Sequence, residues 1–169
     1  DQGYGVQFGS YFSADDKNVS MNIFSVSQGG MTLSQKDYYI NNDSATVAIR
    51  QAYRKHIARM FGLYGFSQAD AERKADAVFR QETLIALISK SATELRDPQA
   101  NYNKMTLAEF ETAYPDIPLA QLAQAEGIKR AYIDTLIVGQ PSFMAGLDKL
   151  MTLQTADELQ ALMEWDVIQ

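Results

Sequence analysis

Cysteine is absent from this chain of 169 residues. That excludes disulfide bonds, thiolate nucleophiles and thiolate metal sites, and it leaves the redox compartment open. Histidine is almost as scarce, with His56 the only one. A zinc-protease helix needs two histidines four residues apart with a glutamate between them, so no such helix is built from these residues. A Ser-His-Asp triad would have to use His56, and no serine motif accompanies it. Basic residues are outnumbered, with 15 Lys and Arg against 21 Asp and Glu and a net charge of −6. Nucleic acid is therefore not an expected partner, because phosphate neutralisation needs clustered cations. No stretch approaches the roughly 20 apolar residues of a membrane span. Repeats, low-complexity tracts and a dividing linker are all missing.

What remains is ordinary for a globular protein, 46% apolar and 21% charged. Residues 1–169 read as a single domain, and a compact chain of this length buries roughly two-thirds of its unfolded surface. Residues 3–27 form the one β region. Val6, Phe8, Tyr11 and Phe12 precede a polar break at Asp15–Asn18, and Val19, Met21, Ile23, Phe24 and Val26 follow it, which reads as a β-hairpin. Gly3-x-Gly5 does not sit between strand and helix and is no dinucleotide fingerprint. At Gln28–Tyr39 the chain turns from strand to helix. Gly29 and Gly30 permit unusual backbone angles, and Ser34 with Asp37 reads as an N-cap followed by a first-turn acid.

Helical periodicity takes over from there. Ala45, Ala48, Ile49, Ala52, Tyr53, His56, Ile57, Met60, Phe61 and Tyr64 make one stripe, closed by Gly62 and Gly65. Ser67 caps a second helix whose stripe runs from Ala71 through Ile85, Leu87 and Ile88 to Leu95, with Asp97-Pro98 as its stop. Asn101-Tyr102-Asn103 reads as a loop. Thr106–Glu109 and Thr155–Glu158 are capping boxes, and Pro118 suits a first helical turn. Ile133–Val138 reads as a short strand or an extended segment, and Gly139–Ser142 opens a helix with Phe143, Leu147, Leu150 and Met151 inward. The fold class is mainly α, a multi-helix domain with one small N-terminal β-hairpin.

The residues offer little chemistry. His56 lies on an apolar stripe and reads as a packed, hydrogen-bonded histidine. Most carboxylates occupy turns and caps, where acids are expected. Glu82, between Phe79 and Ile85, is the exception; if buried it needs a partner, and Arg96 is the first candidate. Asp15 and Asp16 do not make a calcium loop, since Lys17 sits among the would-be ligands and no distal Glu follows.

A resemblance rests on blocks in order: Asp15-Asp16-Lys17-Asn18; Gln28-Gly29-Gly30-Met31-Thr32-Leu33-Ser34-Gln35-Lys36-Asp37-Tyr38-Tyr39; Tyr53 with His56-Ile57 and Met60; Glu82-Thr83; Arg96-Asp97-Pro98 leading to Tyr102-Asn103-Lys104-Met105; Val138–Phe143; and Leu162, Trp165, Val167 and Ile168. Together they resemble the N-terminal region of neprilysin-like zinc metallopeptidases, a group that includes endothelin-converting enzymes and bacterial oligopeptidases. Ser34 stands where that family usually has Pro, and Lys36 where it has Arg, which removes a bidentate fork.

The resemblance implies a helical lid that closes a chamber over a catalytic domain of the same polypeptide. Oligopeptides are then the substrates, and zinc is held further along that polypeptide by H-E-x-x-H and a downstream Glu. This chain would be an internal, non-catalytic piece, with no catalytic residue, no metal ligand and no cofactor of its own. Asp16, Lys17, Asn18, Gln28, Gly30, Asp37, Tyr38, Tyr39, Arg96, Tyr102, Asn103, Gln140 and Pro141 would be its structural motif, with Asp37 as a lock. An extracytoplasmic location (periplasmic, secreted or membrane-anchored) is implied too, as is an exposed apolar face where the piece packs on its partner domain. The alternative reading is a stand-alone helical peptide-binding or scaffold module.

Overall fold

A computed structural model describes residues 7–169. The Gly3-x-Gly5 stretch and Val6 lie outside the described residues. The remainder gathers into two compact units, one formed by 7–30 with Lys90–Thr152, the other by Met31–Ser89 with Leu153–Gln169.

The first unit is built on a four-stranded sheet. β1 (Phe8–Asp15) and β2 (Asn18–Gln28) are the expected antiparallel hairpin, with Phe12 opposite Phe24. Two strands from later in the chain extend it: β3 (Asn103–Thr106) and β4 (Thr135–Val138), in the order β1-β2-β4-β3. β4 runs parallel to β2 and antiparallel to β3. Residue Asn103 is thus strand rather than loop. Its pairing partner is Val138, so β4 templates a segment that is too polar to read as β alone. Around the sheet lie α4 (Leu107–Ala113), α5 (Leu119–Ala125) and α6 (Pro141–Leu153). Phe24, Val26, Leu136, Val138, Phe110 and Phe143 are buried at its core. The capping box of Thr106 and Glu109 forms as the spacing requires, while Pro118 stands at the N-cap of α5, one position before the helix.

The second unit is helical: α1 (Asp37–Ile40), α2 (Ser44–Leu63), α3 (Gln68–Ile88) and α7 (Ala156–Ile168). Only Tyr53, Ile57 and Phe61 of the α2 stripe are buried; Ile49 and Tyr64, counted inward by periodicity, are 40% and 66% exposed. α3 is shorter than its stripe suggests. It ends at Ile88 because Ser89 turns extended and caps the helix with its own hydroxyl on the Ile85 carbonyl. Leu87 lies within α3 but off its buried face and is exposed, and Leu95 falls in a separate 3-10 turn, Glu94–Arg96. Thr155 and Glu158 form the second capping box at the start of α7. Trp165 packs on Tyr53 and Phe61 at ring-centroid distances of 6.3 and 6.1 Å.

Candidate functional site

The helical unit holds one dense polar cluster and the sheet unit two, and most of the motif residues divide among them.

In the helical unit the centre is Glu82, on the buried face of α3. Its partners are hydroxyls and a backbone amide rather than Arg96. Tyr39 donates to Oε2 at 2.8 Å, Tyr53 donates across both oxygens at 2.9 and 3.0 Å, and Thr32 donates its hydroxyl to Oε1 at 2.7 Å and its N–H at 3.3 Å. The Tyr39 oxygen also accepts the Leu33 N–H at 2.9 Å, and Trp165 Nε1 donates to the Thr32 hydroxyl at 3.2 Å. One carboxylate therefore ties the 31–36 segment, α1, α2, α3 and, through Thr32, α7. Burial without a cation pushes the Glu82 pKa up, and the hydroxyl bonds pull partly against that. Tyr39 and Tyr53 are pushed up in turn, chiefly by burial and then by the charge of Glu82.

The expected lock at Asp37 is displaced to its neighbours. Asp37 is exposed at the first position of α1, whose N-cap is Lys36 with no side-chain cap bond, so Ser34 does not cap this helix. Lys36 instead reaches the Ser89 carbonyl at 2.6 Å, a cation at the carbonyl end of α3 where the helix dipole favours one. A point charge suffices for that contact. Arg50 holds the Tyr39 carbonyl at 2.9 Å, and Tyr38 is half-buried. His56 is exposed rather than buried on the stripe, with its ring edge against Trp165 at 6.0 Å.

In the sheet unit, amides form a relay. Gln28 clamps Lys90 with both ends of its side chain, accepting from the N–H at 2.9 Å and donating to the carbonyl at 3.0 Å. Its own N–H goes to Gln140 Oε1 at 2.8 Å, and Gln140 donates to Asn101 at 3.1 Å. Asn103 donates to the Val138 and Ala100 carbonyls. Gly30 is required by its φ of +78° and by space, since a Cβ there would lie 2.7 Å from Gln7 Cα. Pro141 opens α6, and its carbonyl accepts from Tyr114 at 3.4 Å.

At the hairpin turn the buried acid is Asp15. Tyr102 and Lys104 each donate to it at 2.7 Å, and the Lys17 N–H at 3.0 Å, while the Lys17 ammonium sits 4.2 Å over the Tyr102 ring. The Lys104 bond, then the Lys17 amide and the Tyr102 hydroxyl, lower the Asp15 pKa to about 2. Asp16 is exposed, Asn18 accepts from Ser20, and Arg96 is exposed in its 3-10 turn. Asp15, Lys104, Thr32 and Tyr53 are members that sequence reasoning did not assign, while Glu82 was singled out with the wrong partner. One signal was available: Tyr102 and Lys104, two apart in an extended segment, share a face.

In all three clusters the central acceptors are already taken by protein donors. Among the described residues no three of His, Asp or Glu are grouped to hold a metal ion. Nor is any helix among them long and apolar enough to cross a membrane.

The N-terminal model of Peptidase family M13 matches residues 1–169. Endothelin-converting enzyme 1 of Mus musculus is 32% identical over 111 residues, 65% of this chain and 14% of that protein. Neprilysin-3 of Drosophila melanogaster is 25% identical over 156 residues, 89% of this chain and 20% of that protein. The zinc metalloprotease Zmp1 of Mycobacterium tuberculosis, in its open state, superposes with a TM-score of 0.89 at 28% identity, over 98% of this chain and 25% of Zmp1. PepO from Lactobacillus rhamnosis, at 22% identity and a TM-score of 0.76, shares the fold. The chain thus spans a quarter or less of the length of these relatives.

Proposed function

This chain belongs to peptidase family M13, and from that premise we infer that residues 1–169 are a non-catalytic part of a zinc-dependent metalloendopeptidase that hydrolyses oligopeptides. The observation that carries this reading is the superposition of 98% of the chain on one quarter of a zinc metalloprotease. The polar clusters support it, because their side chains are spent on holding elements together. In this reading the chain is part of the helical N-terminal region that walls a chamber and selects substrates by size. The motif residues are structural: Gln28, Gly30, Gln140 and Asn103 set the strands, Tyr39 and Lys36 set the helices, and Tyr102 and Lys17 brace the hairpin turn. The catalytic domain of the same polypeptide holds the zinc, whose role is to activate water for attack on the peptide bond. The chain carries no cofactor of its own, and the whole enzyme works outside the cytoplasm.

The test begins with the rest of the gene. An H-E-x-x-H a few hundred residues downstream, in a polypeptide that cleaves short peptides and spares folded proteins, is the expected result. A stop codon soon after Gln169 would overturn it in favour of a stand-alone helical module.

A further inference from the structure

The sheet has a second face. Phe24 and Val26 of β2 point into the core, so Ser25 between them points the other way. Strand register aligns Tyr11 of β1, Ser25 of β2 and Ile137 of β4 in one row on that face. With Tyr102 they line a groove of about 300 Å³ inside the sheet unit. Ser25 and Ile137, 4% and 8% exposed, lie deep in it, while Tyr11 is half-exposed. Tyr102 is fixed as a wall, because its hydroxyl is given to Asp15. Two opposite charges also line the groove, Arg96 and Asp16.

Three of these polar groups are uncommitted. Among the described residues the Ser25 hydroxyl, the Arg96 guanidinium and the Asp16 carboxylate make no hydrogen bond and no ion pair. A polar side chain as buried as that of Ser25 ordinarily has a partner. Arg96 offers a planar donor fork to a carboxylate, Asp16 accepts from an ammonium, and the Ser25 hydroxyl can do either. The volume stands at the small end of ligand pockets. We infer that this groove binds a small zwitterion, an α-amino acid or a dipeptide, with its carboxylate on Arg96, its ammonium on Asp16 and its body over Ser25 and Ile137. A ligand of one sign would leave one of the two charges unmatched. Hydrolysis of oligopeptides yields short fragments with both termini free. The dipeptide as a source therefore rests on the peptidase reading, whereas the zwitterion rests on the groove itself.

Amide chemical-shift titration of chain 1–169 tests it. Alanyl-alanine is expected to shift the Ser25 and Ile137 amides in a saturable way. Acetylating its amino group, or amidating its carboxylate, should each weaken binding about fivefold, the scale of one exposed ion pair. Arg96→Met should cancel the penalty of amidation and keep that of acetylation, and Asp16→Asn should do the reverse. Both residues are exposed and unpaired, so neither change should move the melting curve. Alanine is titrated in parallel. Tighter binding of alanine assigns the groove to free amino acids, and tighter binding of alanyl-alanine assigns it to peptide fragments; either supports a zwitterion site. No saturable shift at the groove, or blocked peptides that bind as well as the free one, overturns the proposal and leaves the peptidase reading standing. Penalties that persist in both variants place the ligand elsewhere and overturn it too. Peptidase activity is read separately, on the full-length polypeptide, so the two readings fail independently.

Discussion

Replacing Glu82 with alanine probes the hydroxyl lock at its centre. Tyr39 and Tyr53, only 4% and 7% exposed, both give their hydroxyl hydrogens to this carboxylate. Alanine leaves two buried phenols without an acceptor, at about 1–2 kcal/mol each. The vacated space adds a cavity term, and removing a buried carboxylate that lacks a cation offsets part of the loss. The net expectation is a destabilisation of about 3 kcal/mol, or a fall of about 6–12 °C in Tm for a chain of this length. Trp165, the sole tryptophan, donates to Thr32 in the same cluster, so its fluorescence reports this unit directly. Glu82→Gln separates charge from hydrogen bonding. Because burial raises the Glu82 pKa above its ordinary 4.5, its contribution is complete below 4.5 and is lost as pH rises through the raised folded value. Wild type should therefore lose stability relative to the Gln variant as pH climbs out of the acid range. An alanine variant within about 0.5 kcal/mol of wild type, or a wild-type-to-Gln difference flat with pH, refutes this reasoning.

Gly30→Ala should destabilise more than Gly127→Ala in thermal melts, although both glycines have φ near +77°. A Cβ at Gly30 meets the Gln7 backbone, and one at Gly127 meets nothing within 4 Å, so the second change should cost only about 1 kcal/mol. Asp15, lowered to about 2, should contribute stability above its ordinary 3.8 that disappears as pH falls through 2; an NMR titration of its carboxyl should show that low midpoint, and Asp15→Asn should flatten the acid limb of the unfolding curve. Lys36→Met should cost about 1 kcal/mol through the lost bond to Ser89, whereas Asp37→Ala should change the denaturation midpoint little.

Much of the fold was legible because local signals act alone. The hairpin, both capping boxes and the α6 start at Pro141 are written in adjacent residues. What was not legible depends on partners distant in sequence. Asn103 becomes strand because Val138 arrives beside it, and α3 stops ten residues before Pro98 because Ser89 leaves helical angles and caps it. The stripe on α2 looked wide because small and apolar residues also occupy its exposed side, so periodicity overstated its burial. Glu82 was flagged as an anomaly on an apolar face, but three hydroxyls from separate segments could not be foreseen where one cation was sought. Motif resemblance selected Tyr39, which bonds Glu82, together with Asp37 and Asp16, which are exposed; beside those two, Lys36 and Asp15 of the same blocks make the contacts.

The central claim is that these residues form part of a zinc peptidase without performing its chemistry. Side-by-side hydrolysis of an oligopeptide by chain 1–169 and by the full-length polypeptide, in zinc-containing buffer, measures this most directly. The expected result is no cleavage by chain 1–169, which also retains no zinc on dialysis, and chelator-sensitive cleavage by the full-length protein. Hydrolysis by chain 1–169 that vanishes in His56→Ala, or one tightly held zinc per chain, would contradict it.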